Sequence, residues 1–238
     1  MMRKIILVIM ALLAVFVTAS AVATPLTVNI KLTTPYTKYY VYTATTLAAQ
    51  GNITSNTFTL NYNNTQSYLV KAVGNNTVLV FTIPSGLTTT SFNVTTVATV
   101  TFNTTFLGKW PFAPKSVQAQ VAPSGAPCNA TVATSDVVNI VPPAKVKLQK
   151  EVFYPAIYGY RLSAIYVNGA TSTNPFNVTS SITYSVKAEY EPVGMAAIDP
   201  LVVVAVVAAI VVFAIVLAAK KGGSAAMAVK AYNSPYLE

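Results

Sequence analysis

Seven asparagines stand in the triplet Asn-x-Thr: Asn52, Asn63, Asn75, Asn93, Asn103, Asn129 and Asn177. In an exported chain this triplet is the acceptor for N-linked sugar, which is carried on the side-chain amide nitrogen. Residues 24–199 hold fifteen Asn and forty-one Ser or Thr, a composition that by itself gives about three and a half such triplets. The excess makes all seven candidate glycosylation sites, with N-linked glycans as the expected modification. The turn preference of Asn beside the strand preference of Thr accounts for two or three of them without any sugar.

Little else in the chain can do chemistry. There is no histidine, which removes the commonest general base, the usual partner of a nucleophile and the usual transition-metal ligand. Residues 24–199 carry five acids, and only Glu189 and Glu191 lie close together. Two apart on one strand face, they could touch a hard cation, but without further oxygen ligands nearby they read as a solvated strand end. Cys128 is the only cysteine, so no intrachain disulfide staples the fold, and a free, half-buried thiol is expected. Pairing between chains is the alternative. No phosphate-binding glycine loop, dinucleotide turn or cysteine pair occurs. The expectation is a protein that is not an enzyme, with no catalytic residue, no metal site and no cofactor.

The elements that must position the acceptors are strands. Apolar and polar residues alternate over 26–32, 58–62, 97–102 and 182–187, the period of half-buried antiparallel strands. Less regular runs lie at 39–43, 68–73, 78–83, 116–121, 137–141, 146–153 and 160–167. Gly74-Asn75-Asn76, Pro84-Ser85-Gly86, Pro142-Pro143 and Asn168-Gly169 punctuate them, the last a type I′ hairpin signal. About eleven strands with such turns predict an all-β ectodomain of one or two antiparallel β-sandwiches. Two immunoglobulin-like sandwiches, residues 24–120 and 128–191, joined by a linker at 121–127, are one arrangement, and a single jelly roll is the other. Tyr36, Tyr39, Tyr40 and Tyr42, and Tyr154, Tyr158, Tyr160 and Tyr166, form two clusters. Cross-strand packing is the expected role, with a partner surface as the alternative. Trp110 is expected as a core plug.

Both ends of the chain are apolar. Leu201 to Ala219 is an unbroken apolar run of nineteen residues, closed by the stop-transfer pair Lys220 and Lys221. As a helix it spans about 28 Å, the thickness of a bilayer core. Its strongly apolar residues favour insertion by about 4–8 kcal/mol. Ten of the nineteen are β-branched, but in lipid only a helix satisfies a lone segment's backbone. At the other end, Arg3-Lys4, an apolar stretch and small residues to Ala23 have the order of a secretory signal peptide, residues 1–23. Cleavage fits after Ala23 or after Ala21, and an uncleaved anchor is the alternative. Residues 192–200 form a juxtamembrane linker. With Lys220, Lys221 and Lys230 after the span and Glu189, Glu191 and Asp199 before it, the tail 220–238 is expected inside and the ectodomain outside.

The net charge of +9 does not imply nucleic acid. Five of the fifteen basic residues lie in the signal and tail, and the others are dispersed, with Lys145, Lys147 and Lys150 the only local group. Phosphate binding needs a patch or stripe, so no nucleic acid partner is expected. Charged residues number fifteen in residues 24–199, against the roughly 25% of ordinary domains. Neutral amides and hydroxyls supply the polarity, and these do not titrate in acid, which suits an acidic medium.

In composition and topology the whole length resembles the surface glycoproteins of thermoacidophilic archaea and of their viruses. The resemblance rests on a short signal, an acid-poor Thr/Asn/Tyr-rich β ectodomain, dense acceptors and a Val/Ala-rich span ending in Lys-Lys. It implies an extracellular structural or adhesive glycoprotein of a cell envelope or virion surface. The expected partners are the lipid bilayer, copies of itself and other envelope proteins. An accessory ectodomain subunit of a membrane transport or respiratory complex is the alternative.

Overall fold

The computed structural model of the protein describes residues 26–108, 113–153 and 158–232. The signal segment, Trp110, Tyr154 and residues 233–238 lie outside the described residues. The described chain is all-β as far as Gly194 and ends in one long helix.

The strands begin with β1 (Leu26–Leu32), β2 (Lys38–Tyr42), β3 (Leu47–Asn52), β4 (Thr57–Tyr62), β5 (Tyr68–Val73) and β6 (Thr77–Ile83). Next come β7 (Ser91–Val94), β8 (Ala98–Phe106), β9 (Gln118–Pro123), β10 (Ala130–Ala133), β11 (Val137–Ile140) and β12 (Ala144–Leu148). Then follow β13 (Glu151–Phe153), β14 (Tyr158–Val167), β15 (Ala170–Thr171), β16 (Phe176–Val178) and β17 (Thr183–Gly194). Helix α1 (Pro200–Tyr232) closes the order. In β1 the alternation does what its sequence implies: Val28, Ile30 and Leu32 are buried, while Thr27, Asn29 and Lys31 are exposed. β12 buries Ala144, Val146 and Leu148 and leaves Lys145 and Lys147 in solvent, so the lysine group is a solvated strand face.

The chain divides into two compact units. The larger holds the chain up to Asn103, Ser116–Gln149 and Ile165–Lys187; the smaller holds Thr104–Lys115, Lys150–Ala164 and the chain from Ala188.

Three sheets build the larger unit. One has the order β4-β1-β7, a second β10-β9-β12-β16, and the third runs β14-β17-β8-β11-β6-β5-β2-β3, with β15 beside β14. Most pairings are antiparallel, but β1 with β7 and β6 with β11 run parallel. β5 and β6 are buried on both faces, which is why their sequences read as near-continuous apolar runs. Val70, Ala72, Leu79 and Phe81 belong to one core with Val28, Ile30, Leu60 and Tyr62 of the three-stranded sheet. Here Phe81 stacks on Phe92 at 5.9 Å and Tyr39 on Phe58 at 4.1 Å, between ring centroids. On the reverse face Val78 and Val80 register with Val138 and Ile140 of β11, and these with Val100 and Ala98 of β8. From that face Lys71 Nζ donates to the Thr131 carbonyl of β10 at 2.6 Å. Burial holds the Lys71 ammonium below its ordinary pKa, opposed by the charge of Asp136.

Several expectations meet this architecture directly. Asn168 and Gly169 have φ of 51° and 83° and close a two-residue hairpin between Val167 and Ala170. The stretch 121–127, expected as a linker between residues 24–120 and 128–191, starts inside β9 and turns into β10. Its Pro, Ser and Gly serve a turn, with Gly125 at φ 71° and Ser124 N–H donating to the Pro143 carbonyl at 2.8 Å. Strand pairing joins the two expected halves, because β11 lies against β6 in one sheet.

In the smaller unit the order is β13-β14-β17-β8. Phe106 packs edge-on to Tyr160 at 5.1 Å and stacks on Tyr190 at 5.2 Å. Gly159 allows the close approach, since a Cβ there would stand 2.6 Å from the Phe153 ring and 2.8 Å from Val193. Arg161 Nε donates to Glu151 Oε1 at 3.0 Å, both side chains largely exposed.

Tyr190 makes this unit sensitive to alkali. It is fully buried, and burial pushes its hydroxyl up to about 12. An unfolded tyrosine ionises near ~10. Between those values the folded state holds a proton that the unfolded state has lost, so stability falls as pH rises. The contribution is complete below pH ~10 and vanishes towards 12, a loss of about 2–3 kcal/mol. Tyr160, also raised by burial, acts in the same direction. Unfolding in denaturant at pH 9 and pH 11.5 should show this fall, and Tyr190→Phe should reduce it. An equal fall in the variant would place the effect elsewhere.

Candidate glycan acceptors and membrane anchor

Asn52 closes β3, Asn93 lies within β7, Asn103 within β8 and Asn177 within β16. Asn63 directly follows β4, Asn75 stands in the turn between β5 and β6, and Asn129 directly precedes β10. Six of the seven side chains are exposed, and Asn63 is half-buried. The strand pattern explains this: in β7 and β16 each acceptor sits between inward-facing neighbours, Phe92 and Val94, or Phe176 and Val178. At Asn63 the side-chain carbonyl Oδ1 accepts from Thr65 N–H at 3.0 Å and from Thr65 Oγ1 at 2.8 Å. This Asx turn couples the first and third members of the triplet and leaves the amide nitrogen of Asn63 uncommitted to them.

Helix α1 begins with a capping pair that the sequence analysis did not single out. Asp199 Oδ1 accepts the Leu201 N–H at 3.0 Å and its carbonyl accepts the Val202 N–H at 2.9 Å. Pro200 follows at the first helical position, where its missing N–H costs nothing. An Asp-Pro immediately before an apolar run was the available signal. Pro200–Lys220 is a stretch of 21 residues long and apolar enough to cross a bilayer, and none of it is buried. Leu201 is 76% exposed and Phe213 65%, an apolar surface with no protein partner among the described residues. The helix continues through Lys220 and Lys221 to Tyr232.

The remaining candidates are placed without being brought together. Cys128 is a free, half-buried thiol, and burial raises its pKa, which keeps it protonated and weakly nucleophilic at neutral pH. Glu189 and Glu191 lie on β17. Among the described residues no three His, Cys, Asp or Glu side chains converge as metal ligands would. Of the two tyrosine clusters, Tyr39 packs on Phe58 and Tyr160 on Phe106. Tyr36 is buried and its hydroxyl accepts from Asn139 Nδ2 at 2.9 Å, and the Tyr184 hydroxyl accepts the N–H groups of Thr179 and Ser180. Lys187 Nζ stands 5.7 Å above the Tyr166 ring.

No protein-family model and no curated protein matches the chain. Among solved structures it is similar to the Bacillus anthracis TIE protein, at 10% identity and a TM-score of 0.26 over 70% of this chain. The chain spans about a third, 34%, of that protein. It is also similar to the major pilin from Streptococcus pyogenes, at 10% identity and a TM-score of 0.19, covering 71% of this chain and 98% of the pilin. Likenesses of this strength assign neither a topology nor an activity to this chain.

Proposed function

We propose that this protein is a membrane-anchored extracellular structural glycoprotein of a cell envelope or virion surface, acting through assembly and not through catalysis. One observation carries the reading. A β-sheet body is followed by a single helix whose apolar side chains are bare over a bilayer-spanning length. The exposed acceptors support it, since sugar on them would supply the hydration that charged residues here do not. A span without internal charge offers no transport path of its own, while its alanines permit close packing between helices in the membrane.

The test uses intact cells or sealed particles. Added protease should remove the ectodomain and spare an epitope at residues 232–238. The native mass should exceed that of the processed chain by at least four glycans. Loss of the tail epitope from sealed membranes, or a mass equal to the bare chain, would sink the reading. Recovery in fixed ratio with a transporter or oxidase would favour the accessory-subunit role instead.

A further inference from the structure

The open edges of the larger unit's sheets and its glycan acceptors coincide. Among the described residues, five strands of three or more residues form those edges: β4 and β7, β10 and β16, and β3. Each has an acceptor within it or directly next to it, namely Asn63, Asn93, Asn129, Asn177 and Asn52 in the same order. These strands with their flanking residues make up about a fifth of residues 24–199, so chance placement gives one or two of seven acceptors there. A sixth acceptor fits the same rule. β11 accompanies β8 only over Ala98–Val100, and Asn103 lies beyond that register. Asn75 stands apart, in the turn between the central strands β5 and β6.

An unpaired edge offers a row of N–H and C=O groups to any other strand, and proteins ordinarily blunt it with lysine, proline or another charge. Here the five edge sequences LAAQGN, TFTLNY, SFNV, ATVA and FNV contain no charged residue and no proline. The edge strand without an acceptor, β13 in the smaller unit, carries the charged pair of Glu151 with Arg161 on β14. The two-residue β15 is too short to template a partner.

We propose that N-linked glycans on these asparagines act as edge guards, replacing charge as the barrier to strand addition between copies of the protein. The inference rests on the glycoprotein reading above and adds what the sugars do. Attachment forms a bond from the asparagine Nδ2 to the anomeric carbon of a lipid-phosphate-linked oligosaccharide. The bond from that carbon to the phosphate oxygen breaks, the phosphate leaves with the electron pair, and the amide gives up one proton. The bulky, hydrated chain then sweeps the space a docking strand would need. A guard without charge also keeps working in acid, where carboxylates would be neutralised. Lateral assembly is thereby left to sheet faces and to the membrane helix.

The test compares full-length protein, purified from its native membrane in mild detergent, with variants made in the same cells. Peptide mass analysis first reads occupancy at Asn93, Asn177 and Asn75. The double variant Asn93→Gln/Asn177→Gln should show at least a fivefold rise in sedimenting oligomers, with an infrared band of intermolecular strands. Asn75→Gln should show neither. Asn93→Lys/Asn177→Lys should return the oligomer fraction to the native level, because lysine blunts the edge without sugar; Asn75→Lys added to the Gln pair should not. An unchanged thermal midpoint in each variant shows that the fold has survived. Bare Asn93 and Asn177 in a protein that carries glycans elsewhere would overturn the guard alone, and a native mass equal to the bare chain would overturn the glycoprotein reading with it. Occupied sites whose loss leaves the protein dispersed, or association equal in Asn75→Gln, would overturn the guard alone.

Discussion

A chain ended at Asp199 should leave the membrane. The span it loses favours insertion by about 4–8 kcal/mol, which converts to a change in partition of about 10³- to 10⁶-fold. Nothing described in the rest of the chain offers a replacement, since its large apolar residues are mostly buried in the cores between sheets. Flotation of membranes on a density gradient reads the outcome directly, with the full chain at the top and the shortened one in the load. A single arginine at Val206, which is 52% exposed within the span, should weaken anchoring in part, since it costs about 2.5–3.5 kcal/mol at a helix centre. A shortened chain that still floats would mean that an uncleaved N-terminal segment, the β body or a membrane partner holds it there, and the reading of Leu201 to Ala219 as the sole anchor would fall.

Phe81→Ala should be the most damaging change in the β body. Phe81 is fully buried in the central strand β6, stacked on Phe92 and packed with the three-stranded sheet. Its truncation loses transfer energy and leaves a cavity that the surrounding strands cannot collapse into, at a cost of about 3–5 kcal/mol. Against a typical total of about 5–15 kcal/mol, that is a fifth of the margin or more. For a body of this size each 1 kcal/mol moves the thermal midpoint by about 2–4 °C, so a fall of about 6–20 °C is expected by circular dichroism. Ile182→Ala, at a side chain 53% exposed, should stay within about 0.5 kcal/mol of the parent. Equal shifts in the two would show that this core does not hold the fold.

The strands that were legible in the sequence are those with a buried face long enough to show its period. Residues 26–32 match β1 and 68–73 match β5, and the final strand starts one residue after the expected 182. The run at 146–153 divides into β12 and β13 around Gln149 and Lys150. β3, β7, β10 and β16 went unread, and the reason is physical. They are edge strands of three to six residues, some built from small or polar side chains, so alternation has too few steps to stand out from a loop. The Asn-x-Thr triplets themselves are a local pattern and could be read at once. Their relation to the edges could not, because an edge is defined by pairings such as that of β1 with β7, which no local pattern encodes. The boundary expected at 121–127 falls on the turn from β9 into β10, and a proline-rich turn and a linker have the same composition.

The core beneath the three-stranded sheet has a further consequence, for the order in which the chain comes off the ribosome. Each of its buried members lies between Val28 and Val94. That block holds β1 and both its partners, so its strands are all available once the first part of the chain has been made. The four-stranded sheet must wait, because β12 lacks its outer neighbour until β16 has been synthesised, shortly before α1. Domains tend to fold as units with the amino-terminal part first. This body therefore has an early seed and a late closing layer, and the interval between them is when its unfinished edges are most exposed.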